Sequence, residues 1–184
     1  MDHALLKNKK IAILATDGFE YVELAEPRKA LDAAGAETQV VSPKEGKIQG
    51  WNHDKPGDSV TVDVSLKTAH SADYDALLLP GGVMNPDQLR TIPGAVDFVR
   101  SFFDAKKPVA AICHGPWMLV EAGVVRGRKL TSWPSLKTDI VNAGGIWSDQ
   151  EEVSDHGLVT SRKPQDIPAF NRAMLEQFAQ KNRT

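Results

Sequence analysis

The chain has 184 residues, of which 41% are hydrophobic and 25% charged, and its formal net charge is −2 at pH 7. These values predict one soluble globular domain over residues 1–184. The small negative charge excludes a strong global attraction to nucleic acid or acidic membranes, and no apolar run approaches the roughly 20 residues of a membrane span. Cys113 is the single cysteine, and no apolar leader follows Met1, so we expect a reducing, cytoplasmic setting without disulfides.

Strand and helix signals alternate through the first half of the chain. In order they predict a strand at 11–14, a helix at 22–34, a strand at 38–41, a strand at 76–79 and a helix at 95–105. The segment 48–66 departs from this rhythm, because it contains Gly50, Pro56 and Gly57 before an alternating apolar pattern. We expect it to form a small antiparallel excursion at an edge of the sheet.

The second half continues the alternation. It predicts a strand at 109–112, a helix at 117–122, a strand at 129–131, a helix at 136–143, a hairpin of 146–153 with 158–161, and a helix at 167–181. Asp166 is the expected side-chain cap of the last helix. Such alternation favours an α/β fold in which helices cover both faces of a mostly parallel sheet, a three-layer sandwich, and no linker or repeat suggests a domain boundary.

Cys113 ends the apolar run 109–112 and is followed at once by His114, Gly115 and Pro116, which break the strand before the next helix. A residue at this corner is expected to be exposed at the carboxyl edge of the sheet, near unpaired helix N–H groups that lower the pKa of a thiol. The same geometry carries the nucleophile of α/β-hydrolases. The alternative is that a lone cysteine is simply a small buried apolar residue.

Ligands of a doubly wound sheet bind outside the carboxyl ends of its strands, so the loops there are the expected site. Those loops carry Glu20, Glu23, Gly81, Gly82, Asp87, Cys113 and His114. Glu20 and Glu23 can share one face at the start of a helix. The alternative is that these acids only stabilise the helix, because negative charges interact favourably with the dipole at its first turn. The N–H groups of Gly81, Gly82 and Gly115 can stabilise an oxyanion, but glycines are also required by tight turns alone.

The segment 111–116, Ala-Ile-Cys-His-Gly-Pro, resembles the cysteine motif of the PfpI-type intracellular cysteine proteases and deglycases, within the ThiJ/PfpI superfamily. Segments 18–24, 74–82, 85–90 and 160–170 resemble further blocks of that family in the family's order. Together they span nearly the whole chain. The resemblance implies a flavodoxin-like sandwich, of the kind found in class I glutamine amidotransferases, and a stress-related cysteine hydrolase.

The resemblance also implies roles for four residues. Cys113 corresponds to the nucleophile, His114 to its base, and Glu23 to an acid that contacts the sulfur and must have its pKa raised by burial to donate a proton to it. Neighbours on a tight bend commonly point apart, so His114 needs an orienting group. Asp87 corresponds to an acid that the neighbouring subunit contributes, which implies a homodimer or a higher homo-oligomer. Some relatives carry Glu there, and Asp is shorter by about one methylene.

Two more positions follow from the same resemblance. Glu20 matches a second acidic position near the site, and Trp117 stands where relatives often carry Gln and is expected to narrow the pocket. No cofactor is implied. We also expect no metal, because His3, His53, His70 and His156 form no HExxH motif and one cysteine cannot build a zinc cluster.

The substrate remains open between small aldehydes, glycated proteins and peptides, since deglycase, glyoxalase-like and peptidase reactions all begin with attack of a thiolate on a carbonyl. The alternative hypothesis, from another class of protein, is a stress-responsive redox sensor or chaperone-like protein whose Cys113 is oxidised rather than turned over. A glutaminase fits poorly, because Ala111 stands two residues before the cysteine, where a Gly is expected. A His-x-Glu pattern is also expected later in the chain, but His156 is followed by Gly157 and Leu158.

Overall fold

The structure, a computed structural model, describes residues 5–180. Its strands are β1 (Lys10–Leu14), β2 (Phe19–Glu20), β3 (Glu37–Ser42), β4 (Lys47–Asn52), β5 (Lys55–Thr61), β6 (Val64–Ser65), β7 (Ala76–Leu79), β8 (Val109–Ile112), β9 (Lys129–Leu130), β10 (Ile146–Trp147), β11 (Val153–Asp155) and β12 (Leu158–Ser161). Its helices are α1 (Tyr21–Ala33), α2 (Met84–Leu89), α3 (Pro93–Asp104), α4 (Trp117–Glu121), α5 (Lys137–Asn142) and α6 (Ile167–Ala179), with 3-10 turns at Ser71–Asp73, Pro134–Leu136 and Pro164–Asp166.

A seven-stranded sheet in the order β11-β12-β8-β7-β1-β3-β6 forms the middle layer. All neighbouring strands in it are parallel except β11 and β12, which are antiparallel. The predicted α/β sandwich is therefore confirmed. The chain order reverses between β1 and β7, so their carboxyl ends flank a crevice, and β8 ends beside it.

Apolar cores lie on both faces of this sheet. On one face Phe98 and Phe102 of α3 pack with residues of α4 and α5. On the other, Leu24 of α1 packs with Phe170 and Phe178 of α6. Strands β7 and β8 are buried along their whole length, which explains why they read as short uninterrupted apolar runs.

The excursion predicted at 48–66 is confirmed in part. Strands β4 and β5 form an antiparallel hairpin, and β2 pairs in parallel with β4 to make a separate three-stranded sheet. The prediction is wrong for β6, which pairs in parallel with β3 at the edge of the main sheet. The hairpin tip at residues 52–55 folds back over the crevice, where Glu20 accepts the backbone N–H of His53.

The hairpin predicted for 146–153 with 158–161 is wrong in its first strand. Only β11 pairs with β12, whereas β10 pairs in parallel with β9 in a small second sheet. The polar run 148–152 separates β10 from β11, and Trp147 anchors β10 through an Nε1–H bond of 3.0 Å to Ser132 Oγ. Periodicity along the chain cannot foresee this pairing, because it depends on contacts with a distant segment.

One helix prediction also needs correction. Asp166 stands at the N-cap of α6 but makes no capping hydrogen bond. Its carboxylate instead accepts from the Arg162 guanidinium at 2.8 and 3.1 Å. The sequence analysis made no prediction for α2, a helix of only 6 residues. The last helix ends at Ala179, and the predicted end at Lys181 lies outside the described residues.

Asn85 of α2 holds together the carboxyl ends of β1 and β7. Its side chain is buried, its Oδ1 accepts the N–H of Thr16 at 2.8 Å, and its Nδ2 donates to the carbonyls of Pro80 and Gly81 at 3.1 Å each. These three bonds fix the loops on both sides of the crevice.

Asn85→Ala is expected to lower the free energy of unfolding by roughly 2–4 kcal/mol, because it leaves the Thr16 N–H and the Pro80 carbonyl without their buried partner. The Gly81 carbonyl loses one of its two bonds and keeps the one from the Glu20 N–H at 3.4 Å. Urea unfolding monitored by circular dichroism measures this change. Asn142→Ala is the matched control, because this side chain is exposed at a helix end and makes no hydrogen bond to any residue from 5 to 180. It should shift the free energy of unfolding by less than about 0.5 kcal/mol. Equal effects of the two substitutions would contradict the role assigned to Asn85.

Candidate active site

Cys113 lies on a sharp bend at the carboxyl end of β8. Its backbone has φ of +62°, a left-handed conformation that is uncommon for a residue with a side chain. The bend is held by the Cys113 N–H bond to Ser161 O at 3.0 Å and the Gly115 N–H bond to Ile112 O at 2.9 Å. A Cβ on Gly115 would lie 2.6 Å from Leu79 O, so only glycine fits there. The predicted strand-turn-helix corner is confirmed.

The thiol at this corner is buried, with Cys113 only 6% exposed, so the expectation of an exposed cysteine is wrong. The turn after β7 covers it. A Cβ on Gly81 would lie 2.7 Å from the Cys113 Cβ and 2.4 Å from a Glu23 carboxylate oxygen, distances that no real side chain tolerates. Gly81 therefore lets the turn close over the thiol.

Glu23 lies fully buried in the first turn of α1. Its Oε2 accepts the Gly81 N–H at 2.9 Å, while Oε1 has no hydrogen bond of ordinary geometry among residues 5–180, although the carboxyl interacts with the Cys113 thiol. Burial raises the pKa of Glu23 to about 8, and the charge of Glu20 adds to the rise. Glu23 is thus mostly protonated at neutral pH, and the resemblance's requirement for a raised pKa is met.

Burial also raises the pKa of the Cys113 thiol, and a negative charge on Glu23 raises it further. The backbone N–H groups of Gly82 and His114 act in the opposite direction but do not prevail. The expectation of a lowered thiol pKa is therefore wrong, because it neglected the loss of water around the sulfur. A protonated Glu23 removes the repulsive charge and can donate to the sulfur, so the two groups share one proton equilibrium.

His114 faces the thiol, with its Nδ1 3.2 Å from Cys113 Sγ, so the two neighbours do not point apart. The imidazole lies between two indoles, with ring centroids 5.3 Å from Trp117 and 5.7 Å from Trp133. Burial lowers the pKa of His114 to about 4. The ring is consequently neutral at pH 7 and able to accept a proton.

Trp117 does not narrow the pocket, contrary to expectation. It packs against His114 and is fixed by an Nε1–H bond of 2.9 Å to Asp139, while the Arg90 guanidinium lies 5.5 Å from its ring centroid. Trp133 lines the pocket instead. Trp117 therefore bears on the site through the position of His114.

A cavity of about 490 Å³ opens beside the thiol, a size that suits a small ligand. Its walls include Glu20, Gly82, Cys113, His114, Trp133 and Lys163. Sequence reasoning identified the first four and missed Trp133 and Lys163, as well as His53 at the hairpin tip. The position of Lys163, directly after the carboxyl end of β12, was the signal that could have identified it.

The glycine N–H groups are mostly engaged. Gly81 donates to Glu23 and Gly115 donates to Ile112, so neither is free to bind an oxyanion. Of the three glycines, Gly82 remains the candidate for binding an oxyanion. Its N–H is directed to Glu23 and Cys113, and its φ is +77°.

Asp87 is exposed on α2 and makes no hydrogen bond to His114 of its own protomer.

Among residues 5–180, no group of three His, Cys, Asp or Glu side chains is arranged to hold a metal ion. No helix in the same range is both long and apolar enough to cross a membrane.

A buried cysteine on a left-handed strand end, with a neighbouring imidazole and carboxyl, defines an α/β protein with a thiol site at the carboxyl edge of its sheet. A sequence profile described as the DJ-1/PfpI family matches residues 9–177, and the chain belongs to that family.

Two relatives are similar over nearly their whole length. General stress protein 18 of Bacillus subtilis is 48% identical over 170 residues, which cover 91% of this chain and 96% of that one. Protein/nucleic acid deglycase 2 of Escherichia coli is 47% identical over 171 residues, with 91% and 96% covered. A crystal structure of a two-domain protein from Anabaena variabilis, with DJ-1/ThiJ/PfpI-like and ferritin-like domains, superposes with a TM-score of 0.87 at 35% identity. The match covers 92% of this chain and 48% of that one.

The protonation of Glu23 should appear in the pH dependence of stability. Its pKa is about 8 in the folded protein against 4.5 ordinarily, so the folded state binds more protons between these values and the unfolding free energy falls as pH rises. His114 has the opposite effect, but only below pH 6.5. Between pH 6.5 and 8, we therefore expect the Glu23 effect to stand alone.

Glu23→Gln should remove this fall in stability, which amounts to at most about 2 kcal/mol between pH 6.5 and 8. Urea unfolding at half-unit pH steps gives the comparison. Glu26→Gln, on the exposed face of the same helix, should behave as the wild type. A wild-type profile that is flat from pH 6.5 to 8 would show that Glu23 is ionised in the folded protein.

Proposed function

We propose that the protein is a stress-related cysteine enzyme that removes reactive carbonyl compounds and their adducts, with Cys113 as nucleophile. The observation that carries the proposal is the approach of His114 Nδ1 to Cys113 Sγ at 3.2 Å, beside a cavity of about 490 Å³. The names of the two relatives, a deglycase and a general stress protein, support the same conclusion.

The first step is addition of the Cys113 sulfur to an aldehyde carbon. The S–C bond forms, the π electrons of the carbonyl move to its oxygen, and that oxygen takes the proton released by the thiol. Glu23, protonated at neutral pH, donates to the sulfur and so permits a thiolate in a buried site where an ionised Glu23 would oppose it.

For an α-oxoaldehyde, neutral His114 then removes the C–H proton of the thiohemiacetal and returns it to the neighbouring ketone carbon, while the hydroxyl proton of the thiohemiacetal passes to the ketone oxygen. The former aldehyde carbon is oxidised to a thioester and the ketone is reduced to an alcohol, so no external oxidant is needed. Water hydrolyses the thioester, which releases a hydroxy acid and regenerates Cys113. Removal of the free aldehyde draws its reversible adducts on amines and thiols toward release.

The orienting group for His114 is Asp87 of a second copy of the chain. Within one protomer the other imidazole nitrogen has no hydrogen-bond partner among residues 5–180, and Asp87 is exposed. Val83 and Met84 are exposed apolar residues, 54% and 41%, beside the start of α2. An isologous dimer through this face would cover them and bring each Asp87 to the partner's site.

Cys113→Ser is expected to abolish hydroxy acid formation from methylglyoxal, because the hydroxyl is a far weaker nucleophile. His114→Ala and Asp87→Asn should each lower kcat by roughly a hundredfold or more, and the double variant by much less than the product of the two. Asp104→Asn, exposed on α3, is the control and should retain wild-type kcat. Full activity of Cys113→Ser would overturn the proposal.

Mixing inactive variants tests the shared site directly. When Cys113→Ser and Asp87→Asn are refolded together in equal amounts, roughly a quarter of wild-type activity should return, because half of the dimers are mixed and each has one intact site. Without exchange of residues between subunits, no activity returns. Light scattering that shows an active monomer would likewise remove Asp87 from the site.

The same assays distinguish the proposed enzyme from a peptidase and from a redox sensor. Release of peptides with no hydroxy acid formation would support a peptidase. If no substrate is turned over and only protection against peroxide depends on Cys113, the redox sensor takes the enzyme's place, and mass spectrometry would then find sulfenic or sulfinic acid at Cys113.

A further inference from the structure

Two consecutive basic residues, Arg162 and Lys163, follow β12, and their side chains have different surroundings. Arg162 is bound by Asp166 at 2.8 and 3.1 Å and by Asp149 at 2.8 Å, so its charge is fully engaged. Lys163 is half-buried, yet its ammonium forms neither an ion pair nor a hydrogen bond with any other residue between 5 and 180. Of the two, Lys163 lines the cavity beside Cys113.

The backbone explains this division. Lys163 has φ of −166° and ψ of 168°, a fully extended conformation in which successive side chains point to opposite sides. The Arg162 contacts fix the residue before it, and the Asp166 N–H bond to Lys163 O at 2.9 Å fixes the residue itself. The base of the Lys163 side chain is thereby preorganised on the cavity side, while the ammonium is left without a counter-ion.

We propose that Lys163 binds a carboxylate of the substrate, so that the site prefers α-oxoaldehydes that carry a carboxylate at the far end from the aldehyde. The substrate class rests on the proposed function, whereas the preference of the cavity for an anion does not.

The other charges of the cavity set the limit of this preference. Glu20 and Asp54 also line it, and the Glu20 carboxylate is already a hydrogen-bond acceptor for the His53 N–H at 3.1 Å. A cavity lined by one unpaired ammonium and two acids suits a singly charged carboxylate better than a doubly charged phosphate. Trp133 supplies an apolar wall for the carbon chain of the ligand.

Alkylation of Cys113 by iodoacetate and by iodoacetamide tests the anion preference without any turnover. The reagents differ only in a carboxylate against an amide, and in both the sulfur displaces iodide as the S–C bond forms and the C–I bond breaks. Both require the same thiolate, so the pKa of Cys113 cancels from the ratio of the two rate constants. That ratio reports the charge that the cavity presents near the sulfur.

Lys163→Gln should lower the iodoacetate to iodoacetamide ratio about five- to tenfold, because a charge-assisted contact is lost. Lys163→Arg should keep the ratio within about twofold, and high salt should lower the wild-type ratio. Lys47→Gln, an exposed lysine at the start of β4, is the control for net charge. A ratio unchanged in Lys163→Gln, or lowered equally in Lys47→Gln, would overturn the proposal.

Turnover of 4,5-dioxopentanoate and of its amide, 4,5-dioxopentanamide, then tests the substrate class. The wild type should have the higher kcat/KM for the carboxylate, and Lys163→Gln should raise KM for that substrate alone. Equal kcat/KM for the two in the wild type would contradict the assignment of the class to Lys163. If neither compound is turned over although methylglyoxal is, the assignment of the substrate class to Lys163 is wrong. If methylglyoxal is not turned over either while the alkylation ratio behaves as expected, the proposed function fails and the anion site stands.

Discussion

The site depends on one close contact, the closure of the Gly81 turn over Cys113 and Glu23. Gly81 donates its N–H to Glu23 Oε2 at 2.9 Å, and its missing side chain leaves the space that both neighbours occupy. Gly82 is packed as tightly, since a Cβ there would lie 2.3 Å from Gly18 O. Two loops from neighbouring strands are thus brought into contact, and Asn85 holds them there with three buried hydrogen bonds.

This closure decides the electrostatics. Burial in this site opposes every charge, so the pKa values of Glu23 and Cys113 rise and that of His114 falls. Near neutral pH the three groups are mostly uncharged together, and the proton of Glu23 can be shared with the sulfur. A nucleophile formed in this way adds at most one negative charge to the site, which limits the cost of desolvation.

The sequence predicted the parts of the fold in which a pattern is local. Strands such as β7 and β8 are buried on both faces, so their apolar runs were unambiguous. The pairing of β10 with β9 was missed because it is set by contacts between distant segments. The bend at Cys113 was predicted from its neighbours, but its burial was not, because the covering turn lies some 30 residues earlier in the chain.

Lys163 and Trp133, two cavity residues that the sequence analysis missed, both lie in loops. Glu23 acts on the sulfur from the first turn of α1, where a buried hydrogen bond from the Gly81 N–H holds it. Lys163 and Trp133 present their side chains to the cavity from these loops. Changing Gly81 or Glu23 disturbs the fold of two loops at once, but a change at Lys163 removes no hydrogen bond of its side chain within the described chain. The choice of substrate can therefore vary at such positions while the geometry around the thiol is kept.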